Sequence, residues 1–211
     1  MTPNPQRFIK ESPQTKRVLY RDGNTADIIR VIMVADRDSS KFIDPAGIEV
    51  IRGNSERATL QNIYDLMQGR INYKTDKRGH EVVRSPAYLF YSGIGDCKSY
   101  SVAIAAMCRA VGIPYRYRFT APSPRSKYSH VYVVATLSDG TDIALDAIPD
   151  NLGKYEKMGT ERRAGKKLDL RPGQKIPAGI SGVQGTGFWT DTALLIGVLI
   201  LFFIFFAKDS K

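Results

Sequence analysis

The sequence predicts an α+β domain followed by a single transmembrane helix at the carboxyl end. Three observations point there. Apolar residues at helical spacing dominate the chain up to residue 110, and alternating strands around Ser138-Asp139-Gly140 follow. Residues 193–207 are fifteen uncharged, almost wholly apolar positions. Helices first and antiparallel strands later place the domain among α+β folds rather than βαβ folds. A length of 211 residues suits one ordinary domain with appendages.

The elements follow in order. Residues 1–17 are polar, basic and spotted with proline, and read as a flexible arm. Thr25 can cap a helix over residues 25–35, where Ile28, Ile29, Val31, Ile32, Met33 and Val34 crowd together. Ser55, with Glu56 in the first turn, opens a clearer helix. Its apolar face is Leu60, Ile63, Tyr64, Met67 and Ile71, and Gly69 lies near its end. Residues 72–92 read as a loop holding Tyr73, Asp76, His80, Glu81 and Pro86. Asp96 caps a helix over 97–110, which Gly112 and Pro114 stop. Strands are expected over 115–119, 130–137 and 141–146, closing a domain of residues 18–150. Residues 151–187 read as a basic linker containing glycine and proline, and 188–208 as the anchor.

The net charge of +10 is uneven. Residues 151–187 hold eight Lys/Arg against three acids, and the amino-terminal arm holds four against one. Such flanks suit an anionic partner, lipid headgroups or nucleic acid, at residues 151–175. A dedicated nucleic-acid binder fits less well, because no aromatic residues interleave those cations. Counting from Phe188 gives an apolar stretch of twenty residues to Ala207, broken only by Asp191. That is close to the ~20 residues of a spanning helix, with Trp189 at one interface and Lys208 at the other. The start has no apolar h-region, so no signal peptide is expected. A tail placed this late inserts after synthesis, leaving the soluble domain on the cytoplasmic side or inside a virion.

Cys97 begins a helix, where the macrodipole and free backbone N–H groups favour thiolate and could hold an oxyanion. The glycines in Gly93-Ile94-Gly95 before it would let a substrate backbone come close. Cys108 lies in the alanine-rich interior of the same helix and reads as core. Eleven residues on one helix separate the two sulfurs by about 16 Å, too far for a disulfide. His130 and Asp146 lie on successive strands, and their register decides whether they meet. A two-residue Asp139-Gly140 loop pairs Val133 with Asp146 and puts His130 and Asp146 on opposite faces. A three-residue loop with Gly140 left-handed pairs Tyr132 with Asp146 and puts them on one face. Nucleophilic chemistry through Cys97, His130 and Asp146 therefore predicts the three-residue loop. His80 reads as a solvated loop residue. Two Cys and two His without ligand spacing give no expectation of a metal or cofactor.

Gly95-Asp96-Cys97, Gly112-Ile113-Pro114, His130-Val131-Tyr132-Val133 and Leu145-Asp146 resemble the transglutaminase-like superfamily. Ile71-Asn72-Tyr73, Asp76, Glu81 and Arg84-Ser85-Pro86 resemble the lead-in of its bacterial and phage members. The resemblance implies a papain-like core of helices packed on an antiparallel sheet. It implies Cys97 as nucleophile, His130 as general base and Asp146 as the orienting carboxylate. The activity implied is acyl transfer from an amide, either hydrolysis as a cysteine peptidase or amidase, or transglutaminase cross-linking. A protein or a peptidoglycan peptide would be the substrate. The chain departs from such relatives at Lys98 and Ser99, where acidic residues often follow the cysteine. Tyr88 or Tyr91 is the candidate side-chain oxyanion donor. The alternative is a non-catalytic structural membrane protein of the same fold, for instance in a membrane-containing phage virion.

Overall fold

The structure, a computed structural model, describes residues 3–10, 18–21, 25–77, 80–150, 153–177 and 180. Helix α1 is Thr25–Ser39 and α2 is Glu56–Arg70, the latter capped by Ser55 Oγ accepting from Ala58 N at 3.1 Å. Helix α1 runs past the end expected at residue 35. The periodic faces turn inward as their spacing dictates, and Ile29, Ile32, Leu60, Ile63 and Met67 are buried.

The stretch expected to be a loop, 72–92, is instead structured. It holds the strands β2 (Asn72–Tyr73) and β3 (His80–Val83) and the helix α3 (Pro86–Ser92). Strand β3 pairs antiparallel with β1 (Val18–Arg21), and β2 pairs in parallel with β4 (Ile94–Gly95). Pro86 does not interrupt a loop but opens α3, where its missing N–H costs nothing, and Ser85 caps it. The arm is also partly ordered: Asn4 caps a short turn at Pro5–Arg7, and Phe8 is only 1% exposed.

At the centre runs α4 (Cys97–Ala110), in which every residue from Lys98 through Cys108 is buried. It packs against α1, α2, α3 and one face of an antiparallel sheet. The sheet comprises β5 (Tyr115–Ala121), β6 (His130–Thr136), β7 (Asp142–Leu145) and β8 (Lys166–Leu170), in the order β7-β6-β5-β8. Tyr117, Phe119, Val131, Val133, Ala135, Ile143, Leu145 and Leu170 belong to the core beneath α4. Strand β8 corrects the expected linker: residues 166–170 pair with β5, from Tyr117 opposite Leu170 to Ala121 opposite Lys166. Alternation over KKLDL is too short and too charged to mark a strand, yet the open edge of β5 supplies the missing backbone partners. No helix among the described residues is long and apolar enough to cross a membrane. The expected anchor, 188–208, lies outside the described residues.

Candidate active site

Cys97 is the first residue of α4 and is half-buried. Asp96 caps the helix, its Oδ1 accepting from Ser99 N at 3.2 Å. The glycines before it serve the fold. Gly93 terminates α3 at φ 63°, and a Cβ on Gly95 would lie 2.4 Å from Leu89 Cδ1. Ser101 Oγ lies 2.7 Å from Cys97 O and 3.1 Å from Val131 O, tying the first turn of α4 to the start of β6. The Val131 amide, next in the chain to His130, also acts on the Cys97 thiol and opposes the rise that burial causes.

The hairpin has the three-residue loop. Val133 sits opposite Leu145, Leu137 N donates to Thr141 O at 2.8 Å, and Gly140 has φ 83°. Continuing that register by one step sets Tyr132 opposite Asp146, so His130 and Asp146 share a face. Their side chains meet, with His130 Nε2 2.8 Å from Asp146 Oδ2.

Two parts of the site were not visible in the sequence. From the segment expected to be a linker, Arg162 Nε donates to the same Asp146 Oδ2 at 2.7 Å. Asp146 Oδ1 is buried with no hydrogen-bond partner among the described residues. Tyr73, half-buried on β2, stands opposite Gly95 and packs its ring edge-on to Tyr100, 6.3 Å between centroids. Burial, then the charges of Cys97 and Asp96, push its phenol up to about 12, so it stays an O–H donor. Tyr73 therefore lies by the turn that carries Cys97, whereas Tyr91 is 88% exposed and packs against Tyr88. The only sequence signal for Tyr73 was its place in Ile71-Asn72-Tyr73; Arg162 carried none.

The expected thiolate is corrected. Burial, joined by Asp96 and Asp146, pushes the Cys97 thiol up to about 12, against the opposing pull of Lys98 and the Val131 amide. Desolvation of a half-buried sulfur between two carboxylates outweighs the field of the helix end.

Lys98, the departure at the position after Cys97, fills a ring of acids. Asp76, Glu81 and Asp96 bring carboxylate oxygens within 4.8 Å of one another, a spacing that could hold a metal ion. The Lys98 ammonium occupies their midst, 2.6 Å from Glu81 and 3.3 Å from Asp76, with Asp96 closer still. Burial works against that ammonium, but Asp96, Cys97 and Glu81 outweigh it and hold it above the usual lysine range. Asp76 further accepts from Val82 N at 2.7 Å, so the cluster joins the residue 74–77 segment, β3 and the start of α4.

Several solved structures are similar to this chain at low identity. The chain is similar to a candidate protease from Parabacteroides distasonis at 18% identity, covering 56% of this chain and 26% of that one, with a TM-score of 0.45. It is similar to a candidate cysteine protease from Cytophaga hutchinsonii at 17% identity, covering 80% and 57%, with a TM-score of 0.35. Calcium-bound LapG from Legionella pneumophila aligns at 17% identity over 83% of this chain and 99% of that one, with a TM-score of 0.47. The chain thus spans about a quarter of the first of these proteins and little more than half of the second. Comparison with curated protein sequences finds no match. Residues 49–147, which carry Cys97, His130 and Asp146, match the family model described as the Transglutaminase-like superfamily.

Proposed function

We propose that this protein is a cysteine acyl-transfer enzyme, a peptidase or amidase or else a transglutaminase, acting through Cys97, His130 and Asp146. The observation that carries the reading is the 2.8 Å contact of His130 Nε2 with Asp146, at the start of the strand that Ser101 ties to the turn of the half-buried Cys97. The match of residues 49–147 to the superfamily model supports it.

In this reading Asp146 orients the imidazole, and Nδ1 takes the thiol proton as sulfur attacks an amide carbonyl. The Cys97 amide, in the first turn of α4, and the Tyr73 phenol supply donors for the developing oxyanion. His130 returns the proton to the departing amine, leaving a thioester on Cys97. Water then yields an acid, and a lysine amine yields a cross-link. The substrate is a protein or a peptidoglycan peptide, met at a lipid surface to which residues 188–208 tether the domain.

The test uses a thiol probe with each cysteine read separately by mass spectrometry. Near neutral pH iodoacetamide alkylates Cys97 at least tenfold faster than Cys108, which is fully buried, and His130→Ala removes the difference. The raised Cys97 thiol favours one second reading, a non-catalytic membrane-linked structural protein with this fold. Equal, slow labelling of both cysteines selects it.

A further inference from the structure

We propose that Arg162 is a positioning residue of this site: its guanidinium shares Asp146 Oδ2 with the His130 ring, holds that carboxylate in place and offsets its charge near Cys97. The inference rests on the reading of Cys97, His130 and Asp146 as the reacting groups.

The contact is built into the fold. Arg162 Nε stands 2.7 Å and His130 Nε2 2.8 Å from one carboxylate oxygen, and Arg162 Nη2 reaches Ile148 O at 3.4 Å. The segment carrying Arg162 is fastened on both sides. Gly159 N donates to Ala144 O and Gly165 N to Ala121 O, each at 2.9 Å. Tyr64 Oη lies 2.8 Å from Glu156 O, and the neighbouring Glu161 is paired with Arg118 and Lys167. Arg162 is therefore held on Asp146 rather than passing by it.

The consequence is electrostatic. A carboxylate near a thiol opposes its ionisation, and Asp146 is one of the groups that push the Cys97 thiol up. A permanent guanidinium on the same carboxylate offsets much of that repulsion. Removing it leaves the Asp146 charge uncompensated, and the Cys97 thiolate then forms only at higher pH. The charged or titratable groups around the sulfur are Asp96 and Lys98 on α4, Tyr73 on β2, His130 on β6, Asp146 after β7 and Arg162 itself. Among the described residues, Arg162 is the one cation paired with the carboxylate that His130 contacts.

The experiment is the pH profile of Cys97 alkylation by iodoacetamide in the full chain. Arg162→Gln keeps a donor but removes the charge. Its half-maximal rate shifts about one pH unit higher, the scale of a neighbouring charge, and the rate near neutrality falls about tenfold. Arg162→Met, which keeps the stem, gives the same shift and serves if the glutamine variant does not fold. Arg162→Lys keeps the charge and stays within half a unit of wild type, about the spread of such a measurement. A uniform loss of rate with an unmoved profile means Arg162 only supports the structure and overturns the proposal, as does a lysine variant shifted as far as the glutamine. If Cys97 in the wild type labels no faster than Cys108, the catalytic reading fails first and takes this proposal with it.

Discussion

Asp36 shows how much one side chain organises away from the reacting groups. It is 2% exposed, and its Oδ1 accepts from Tyr115 Oη at 2.7 Å and Tyr117 Oη at 2.8 Å, while Oδ2 takes the Arg109 guanidinium. Three elements, α1, α4 and β5, thereby converge at the end of α4 opposite Cys97. A buried ion pair adds little when intact but costs much when one partner goes, because the other charge stays desolvated. Asp36→Ala is expected to lose about 3 kcal/mol of stability, read from urea unfolding. A loss below about 1 kcal/mol, the range of an exposed pair, would show that Arg109 escapes to solvent. Lys98 acts in the same way beside Cys97. Its ammonium is bound between the acids on either side of the Cys97 backbone turn, so the residue after the cysteine serves structure through charge.

The element that most alters the site is the segment from residue 153 to β8. It delivers Arg162 to Asp146 and then turns into the sheet at Gly165. A Cβ on Gly165 would stand 2.5 Å from Ser123 Cα and 2.8 Å from Pro122 O, both backbone atoms that cannot swing aside. Gly165→Ala is expected to cost about 1–3 kcal/mol and to loosen Arg162 with it. Thermal unfolding reads the first effect and the pH profile of Cys97 alkylation the second. An unchanged melting midpoint would mean the 121–126 turn relaxes freely. The hairpin of β6 and β7 is the opposite case. Its Ser138-Asp139-Gly140 loop sets the register locally, and that register alone puts His130 and Asp146 on one face.

For the whole molecule, the boundary of the folded unit lies beyond residue 150. Strand β8 buries Leu170 completely and closes the β5 edge, and Arg116 joins Asp142 on β7 to Asp169 on β8. A chain ending at residue 150 is expected to lose cooperative unfolding, followed by circular dichroism. A chain ending at residue 180 keeps it but, under the membrane reading, no longer co-sediments with anionic lipid vesicles. Cooperative melting of the 150-residue chain would show that β8 is an accessory.

What could be read from residues alone was whatever local forces decide. The Ser55 and Asp96 caps, the periodic face from Leu60 to Met67 and the turn chemistry around Gly140 act within a few residues, so α2, α4 and the β6–β7 hairpin were foreseeable. The meeting of His130 with Asp146 followed from that hairpin. Whatever needs a distant partner was not. Strand β2 exists because Ile94 and Gly95 lie beside it, β3 because of Val18–Arg21, and β8 because β5 has an open edge. The protonation of Cys97 depended on how deeply α4 is buried and on which carboxylates surround it, and Arg162 reached Asp146 only through the path of a folded segment. Desolvation and long-range charge are properties of the packed molecule, and no window of sequence contains them.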